Sequence, residues 1–266
     1  MKIGSVPHIY IIEMSSVMNA WLRLNQDAQR VCQEAVGRML THETRDEFVN
    51  ICRAFLHKGT EILQAVNTLY AQHLEEPAQA LIRILFELRI NFDCFITMAS
   101  QDTKNTVIRV IDSMLLEKVK QARTSGFVGL PAEFKRILEE DEQEMASRYT
   151  EKEFKRLRKY GFTGLPIEQR ASLTGHEEAY NVVYRNFSRN IHSTDYVESY
   201  MKIGLYSTSM DKEYIESRDS IAQYTAHFSA VGMMEFANGL FGLNLDKELD
   251  DLGKRQQQIK EGKKVE

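Results

Sequence analysis

The stretch from Pro77 to Ser100, PAQALIRILFELRINFDCFITMAS, constrains the fold more than any other part of the chain. As a helix it is apolar on nearly every side, and Pro77 suits its first turn because an amide proton there would have no partner. Polar residues interrupt the apolar run at Arg83, Glu87, Arg89, Asn91 and Asp93. Charges at bilayer depth are costly enough to exclude a membrane span. We therefore expect this helix to be the most buried element of a helical protein.

The composition favours helices along the rest of the chain as well. The 266 residues include only 4 Pro and 14 Gly, and 43% are hydrophobic, which is enough to form a substantial core. We predict an all-α bundle of about seven to nine helices. In this prediction residues 1–245 form a single domain, with a charged, projecting helical segment at 132–160. Residues 246–266 form a charged tail with almost nothing to bury, either a solvated helix end or a disordered segment.

The charge and the cysteines limit the classes of partner and site. A net charge of −4 gives the whole chain no general attraction to nucleic acid or to an anionic membrane, so any RNA contact needs a local basic patch. Cys32, Cys52 and Cys94 have no C-x-x-C spacing, which is typical of a reducing compartment and argues against a structural zinc site. The N-terminal residues lack the layout of a signal peptide. We expect a cytoplasmic protein that requires no cofactor.

A second stretch, from Thr174 to Asp195, carries the candidate functional residues. Thr174 followed by Glu177 is typical of a helix N-terminus, in which each side chain bonds a free amide of the first turn. In the helix that follows, a row of hydroxyls and one imidazole recurs at intervals of four: Tyr180, Tyr184, Ser188 and His192. We expect this row to lie at the edge of the apolar face, with the helix packed against the Pro77–Ser100 helix.

Polar residues also recur at intervals of four in the Pro77–Ser100 helix, namely Arg83, Glu87 and Asn91. Buried charges need partners, so these side chains must pair with one another or face a polar cavity. One interpretation is an intrahelical salt bridge between Arg83 and Glu87, although this order of charges is the less favourable one. The other is a polar pocket shared with the row from Tyr180 to His192. The sequence favours neither.

Two histidines outside these stretches have ordinary structural explanations. His57 and Glu61 lie four residues apart on one helix, as metal ligands can, but such pairs are common by chance. No Glu-x-x-His pair completes a di-iron site, so we expect no metal. His227 lies beside an apolar stripe and is expected to be a core histidine with its polar atoms satisfied.

The middle of the chain contains a local repeat and a basic cluster. The hexapeptide GFVGLP, from Gly126 to Pro131, recurs as GFTGLP from Gly161 to Pro166. Two similar helix-entry loops that pack a phenylalanine on the core explain the repeat better than a ligand-binding loop. The most basic cluster of the chain lies between the two copies: Lys155, Arg156, Arg158 and Lys159. A solvated helix face explains such a cluster more often than a nucleic-acid patch.

Two helical motifs together resemble a widespread bacterial all-helical family without known function. They are Arg83-x-x-x-Glu87 and the later row Tyr180-x-x-x-Tyr184-x-x-x-Ser188-x-x-x-His192. The resemblance covers roughly Pro77 to Asp195, and both motifs occur in the expected order. It implies no activity.

A second, shorter motif is similar to the signature of the higher eukaryote and prokaryote nucleotide-binding (HEPN) domains. It consists of Arg185-Asn186 and His192, with six residues between the arginine and the histidine. This resemblance implies a metal-independent ribonuclease of a toxin or antiviral defence type, in which a homodimer brings two copies of the helix to one active site. His192 would act as general acid or base, Arg185 would stabilise the charged phosphorus centre, and Asn186 would orient the phosphate or the imidazole. Tyr184 and Ser188 would donate hydrogen bonds nearby.

Two other hypotheses remain open. In the first, a non-catalytic module binds a small polar or nucleotide-like ligand in a pocket lined by Arg83, Glu87, Tyr184 and His192. In the second, the row is a hydrogen-bonded seam, and the function lies in protein contacts through 132–160 or the tail. The ribonuclease hypothesis has one geometric weakness. Arg185 lies about 100° round the helix from Tyr184, so the two cannot face the same point equally well.

Overall fold

A computed structural model describes residues 16–41, 45–124, 132–187 and 209–263 of the chain. Ten helices and no strand occur in these ranges: α1 (Ser16–Leu40), α2 (Glu47–Ala71), α3 (Glu75–Gln101), α4 (Thr103–Thr124), α5 (Ala132–Ser147), α6 (Glu151–Tyr160), α7 (Ile167–Leu173), α8 (Glu177–Phe187), α9 (Ser209–Phe241) and α10 (Asp246–Lys260). The all-α prediction is confirmed, and the described helices number one more than the upper end of the predicted range.

Helix α3 contains the long apolar stretch and packs against α2, α4, α7, α8 and α9. It begins at Glu75, so Pro77 falls in its first turn, where a missing amide proton leaves no bond unmade. Ile82, Leu85 and Phe95 have no exposed surface, because neighbouring helices cover α3 on several sides. Within the described ranges, no helix combines the length and the apolar character that a membrane crossing requires.

Helices α7 and α8 divide the stretch that the sequence suggested as one helix. Thr174 is not the N-cap of α8, as predicted, but the C-cap of α7, and its hydroxyl donates to the Arg170 carbonyl at 2.9 Å. Gly175 then turns the chain with φ +73°, a left-handed conformation that glycine adopts without strain. The His176 carbonyl accepts the Tyr180 amide, so His176 stands at the start of α8. Glu177 bonds the Ser172 hydroxyl and not an amide of Thr174.

The charged segment after residue 131 packs against α4 through a small second core made by Leu116, Met145 and Leu157. Asp112 of α4 is almost fully buried, and its carboxylate accepts hydrogen bonds from Arg148 Nη1 and the Tyr149 hydroxyl, each at 2.8 Å. These contacts fix the connection between α5 and α6 against α4.

The C-terminal residues form helix α10, which lies against α1 and α9. The expectation that almost nothing is buried beyond Leu245 is wrong, since Leu249, Leu252 and Ile259 are all buried. The three side chains lie on one face of a helix whose other positions are mostly charged or amide residues. This narrow stripe is easily overlooked in the sequence, because charges dominate its composition.

Candidate functional site

The polar row of α3 meets α8 at Arg83. The Arg83 guanidinium lies 4.5 Å from the centre of the Tyr184 ring, and its Nε donates to Glu87 Oε1 at 3.0 Å. Of the two alternatives drawn from the sequence, the intrahelical salt bridge between Arg83 and Glu87 is present. The pair also borders Tyr184 of α8, while the polar pocket shared with the whole row stays a prediction. Arg83 is 19% exposed and Glu87 35% exposed, so solvent still reaches them. We call Arg83, Glu87, Tyr180 and Tyr184 the α3–α8 site.

Tyr180 and Tyr184 stand one turn apart at this site. Their ring centres are 5.2 Å apart, and Tyr180 is buried whereas Tyr184 is 38% exposed. Burial, followed by the negative charge of Glu168, raises the pKa of Tyr180 to about 12. Tyr180 therefore keeps its proton at neutral pH and acts as a hydrogen-bond donor, not as a base.

Asn91, the third member of the row on α3, has a different role. Its Oδ1 accepts a hydrogen bond from Arg170 Nη1 at 2.6 Å. Arg170 also donates to the carbonyls of Leu165 and Tyr160, at 2.7 and 2.5 Å. One guanidinium thus fastens α3, α7 and the loop before α7 together, and Asn91 serves this junction.

Sequence reasoning missed a second polar group on α3, made by Arg89, Asp93 and His176. Asp93 Oδ2 lies 2.7 Å from both Arg89 Nε and His176 Nε2. The spacing of four between Arg89 and Asp93 on an apolar helix was a usable signal for the first contact. No sequence pattern pointed to the second, because 83 residues separate His176 from Asp93.

Helix α9 closes over this second group. The Arg89 guanidinium lies 5.5 Å from the Phe228 ring, and the His176 ring sits beside Phe86 and Phe228. Gly232 allows the close approach, since a Cβ atom built there would lie 1.8 Å from Arg89 Nη1. Among the described residues Nη1 has no hydrogen-bond partner. Asp93, Arg89 and His176 are each 20% exposed or less, so this group joins α3, α8 and α9 and has little access to solvent.

Four of the predicted site residues cannot be placed. Ser188 and His192 lie outside the described residues, and although Arg185 and Asn186 belong to α8, their side chains are not described. The last residue of α8, Phe187, is fully buried in the core.

The other histidines have separate outcomes. His57 Nδ1 lies 3.8 Å from Glu61 Oε1, both side chains are about half exposed, and the described ranges contain no cluster of three metal-binding side chains. His227 is buried as expected, but the prediction that its polar atoms are satisfied is wrong. Neither ring nitrogen has a hydrogen-bond partner among the described residues. Burial, together with the charges of Arg255 and Lys260, lowers the pKa of His227 to about 4.

One copy of the hexapeptide repeat is described. In GFTGLP the Phe162 ring packs edge-on against Phe95 of the core, at 6.4 Å between ring centres. GFVGLP, from 126 to 131, falls outside the described residues.

Neither the curated proteins nor the solved structures contain a significant match to the chain. A family model matches residues 49–204, which is more than half of the chain. The matched range includes α3 and α8, the two helices of the candidate site. The match bears out membership of an uncharacterised family, whereas membership of the HEPN domains stays a prediction. The chain belongs to a family of unknown function, DUF5677.

Proposed function

We propose that the chain is a metal-independent endoribonuclease, of the bacterial toxin or antiviral defence type, that works at the α3–α8 site and the residues that follow it. The observation that carries the proposal is the contact between Arg83 and Tyr184, at 4.5 Å. This contact puts a fixed cation beside the helix that bears Arg185 and Asn186 and leads in sequence to His192. Those three residues form the HEPN-like motif.

The chemistry suits an enzyme without a metal. The 2′-oxygen of RNA attacks the adjacent phosphorus and the bond from phosphorus to the 5′-oxygen breaks, which leaves a 2′,3′-cyclic phosphate and a 5′-hydroxyl. The 2′-proton passes to a base, and the leaving oxygen receives a proton from an acid. In our proposal His192 takes one of these roles, because imidazole titrates near neutral pH. Arg185 and Asn186 contact the phosphate.

The residues of the α3–α8 site assist this step. Arg83 adds a positive charge whose position is fixed by Glu87, and such preorganised charge stabilises a phosphorane-like transition state. Tyr180, Tyr184 and Ser188 supply hydroxyl hydrogen-bond donors. Asn91 is a positioning residue, since its amide oxygen is bonded to Arg170 and acts on the site only through α7.

A homodimer is part of the proposal. The resemblance to HEPN domains implies that two copies of the motif share one active site. The angular separation of Arg185 and Tyr184 on one helix is also easier to reconcile with a site to which two chains contribute.

The test is cleavage of total RNA and of tRNA by the purified protein in EDTA. We expect cleavage that survives chelation and is lost by at least about 100-fold in His192→Ala and in Arg185→Ala, which is the usual scale for a lost acid–base or charge-stabilising group. His57→Ala and Arg30→Ala are matched controls, because both side chains are mainly exposed on α2 and α1, outside the site. Cleavage that stops in EDTA, or persists in both motif variants, contradicts the proposal.

A non-catalytic module that binds a nucleotide-like ligand is the second candidate. It is favoured by the fact that Arg83, Glu87 and Tyr184 come together within one chain. Its test is thermal unfolding with added nucleotides, since a ligand that binds only the folded state raises the melting temperature. A rise that disappears in Tyr184→Ala, without RNA cleavage, supports the module over the nuclease. A purely structural or protein-interaction role predicts neither result.

A further inference from the structure

A basic cleft lies between α6 and the start of α7. It has a volume of about 380 Å³, and its walls include Lys152, Lys155, Arg156, Lys159, Tyr160 and Gln169. The chain as a whole carries a net charge of −4, so four cations at one cavity stand out against an acidic background. All four basic side chains are exposed, as the predicted solvated face requires, and they also border this open cleft.

The spacing of the four cations places them on one face of α6. Residues 152, 155, 156 and 159 follow the i, i+3, i+4, i+7 pattern, and they span about 10.5 Å along the axis. Like charges three or four residues apart weaken a helix. An anion that lies along this face removes that repulsion, so the arrangement suits a ligand with more than one phosphate.

Few of these charges are neutralised within the protein. Lys155 pairs with Glu151 at 2.5 Å, and the Lys159 ammonium lies 4.8 Å from the centre of the Tyr160 ring. Lys152 and Arg156 are exposed, and within the described ranges neither forms an ion pair. Arg158 belongs to the same cluster in sequence but pairs with Glu142 of α5 at 3.5 Å, and it does not line the cleft.

The cleft is held in shape by its own loop. Arg109 Nε donates to the Phe162 carbonyl at 2.9 Å, and Arg170 donates to the carbonyls of Tyr160 and Leu165. Gly164 has φ +65°, and a Cβ atom there would lie 3.5 Å from Arg156 Cβ. The loop backbone therefore rests against the stem of Arg156 and fixes the base of that side chain at the cleft.

The same loop connects the cleft to the α3–α8 site. Arg170, which holds the wall of the cleft, also bonds Asn91 in the polar row of α3. Helix α7 packs against both α3 and α8. A polymer seated in the cleft is thus separated from the candidate site by one short helix.

We propose that this cleft binds the phosphate backbone of RNA, with Lys152, Arg156 and Lys159 on phosphates, and that an unpaired base stacks on the Tyr160 ring when Lys159 leaves that ring for a phosphate. Lysine and arginine are the usual phosphate-contacting residues, and aromatic side chains commonly stack on bases of single strands. The inference rests on the proposed function, because it supplies the docking surface that an acidic ribonuclease needs. It does not depend on which residues carry out cleavage.

The experiment measures fluorescence polarisation of a short, labelled, single-stranded RNA with the full chain carrying His192→Ala. Lys152→Gln/Arg156→Gln is compared with Lys247→Gln/Lys254→Gln, which removes the same charge from exposed positions of α10. Each phosphate contact on a single strand contributes about 0.7 to the slope of log affinity against log salt. The cleft variant should therefore lose about 1.4 from that slope, while the control keeps the full slope. Between about 50 and 200 mM salt the parent should weaken about sevenfold more than the cleft variant.

Folding is checked by thermal unfolding, and the charge-keeping variant Lys152→Arg/Arg156→Lys should bind as the parent does. Equal slopes in the cleft variant and the parent overturn the proposal, as does a parent that binds no RNA. Tighter binding of a polyglutamate peptide than of RNA also overturns it, in favour of a protein-docking surface.

If RNA binds through the cleft but the wild-type chain never cleaves it, only the proposed function fails. If cleavage is undiminished in the cleft variant, only the cleft inference fails.

Discussion

Replacing Gly232 by alanine should destabilise the protein, although the same change normally strengthens a helix. Alanine is favoured over glycine by about 1 kcal/mol within a helix. At this position the new Cβ would lie 1.8 Å from Arg89 Nη1 and 2.8 Å from its Cζ, so the guanidinium must move. Arg89 is 15% exposed and bonded to Asp93 at 2.7 Å, which leaves it little room.

The expected loss follows from the contacts that break. A hydrogen bond to a charged group contributes roughly 1.5–3 kcal/mol, and the displaced guanidinium also leaves Phe228. After the gain in helix propensity, the net loss is about 1–2 kcal/mol. For a chain of this size that lowers the melting temperature by roughly 2–8 °C.

Thermal and urea unfolding measure the effect, and Gly239→Ala is the matched control in the same helix. No atom lies within 4 Å of a Cβ built at Gly239, so this variant should be as stable as the wild type or slightly more stable. In an Arg89→Ala background, Gly232→Ala should become neutral or stabilising, because the clash is gone. A Gly232→Ala protein that melts at or above the wild-type temperature would refute the close packing of α9 on Arg89.

Three further predictions concern buried groups. Burial raises the pKa of Asp219 to about 6, even though Gln79 donates to its carboxylate. Because the folded state holds this proton more tightly than the unfolded state, Asp219 should lower stability as pH rises from about 4 to 6, by on the order of 3 kcal/mol. Asp219→Asn should remove this dependence of the free energy of unfolding on pH, as measured by urea unfolding at each pH. An unchanged pH dependence would contradict the raised pKa of Asp219. Because the pKa of His227 is lowered in the folded state, the free energy of unfolding should fall as pH drops from about 6.5 to 4. His227→Leu should therefore be neutral or stabilising at pH 7 and should reduce this loss of stability at acid pH. Leu252→Ala should cost about 2–5 kcal/mol, since this side chain of α10 is 2% exposed; a loss below about 0.5 kcal/mol would mean that α10 contributes little to the core.

Periodicity predicted the parts of the fold that depend on one helix at a time. The apolar run from Pro77 to Ser100 identified α3, and the spacing of Arg83 and Glu87 offered their ion pair as one of two alternatives. Both depend on neighbours three or four residues away, which the sequence displays directly.

Contacts between distant segments were beyond such patterns. The bond between His176 and Asp93, and the junction of Arg170 with Asn91, depend on how α7 and α8 are placed on α3. The placement in turn depends on the turn at Gly175, which the capping pattern at Thr174 concealed. The buried stripe of α10 was missed for a similar reason. Its apolar residues are few, and only the packing of α10 against α1 shows that they are buried.

The chemical mechanism is the central claim, and a single pair of substrates tests it. An RNA that the protein cleaves is compared, in EDTA, with the same sequence carrying a 2′-O-methyl group at the cleaved nucleotide. Our proposal predicts cleavage of the first only, with a 2′,3′-cyclic phosphate on the upstream product and a 5′-hydroxyl on the downstream one. Cleavage of both substrates, or products that end in a 5′-phosphate, would contradict it.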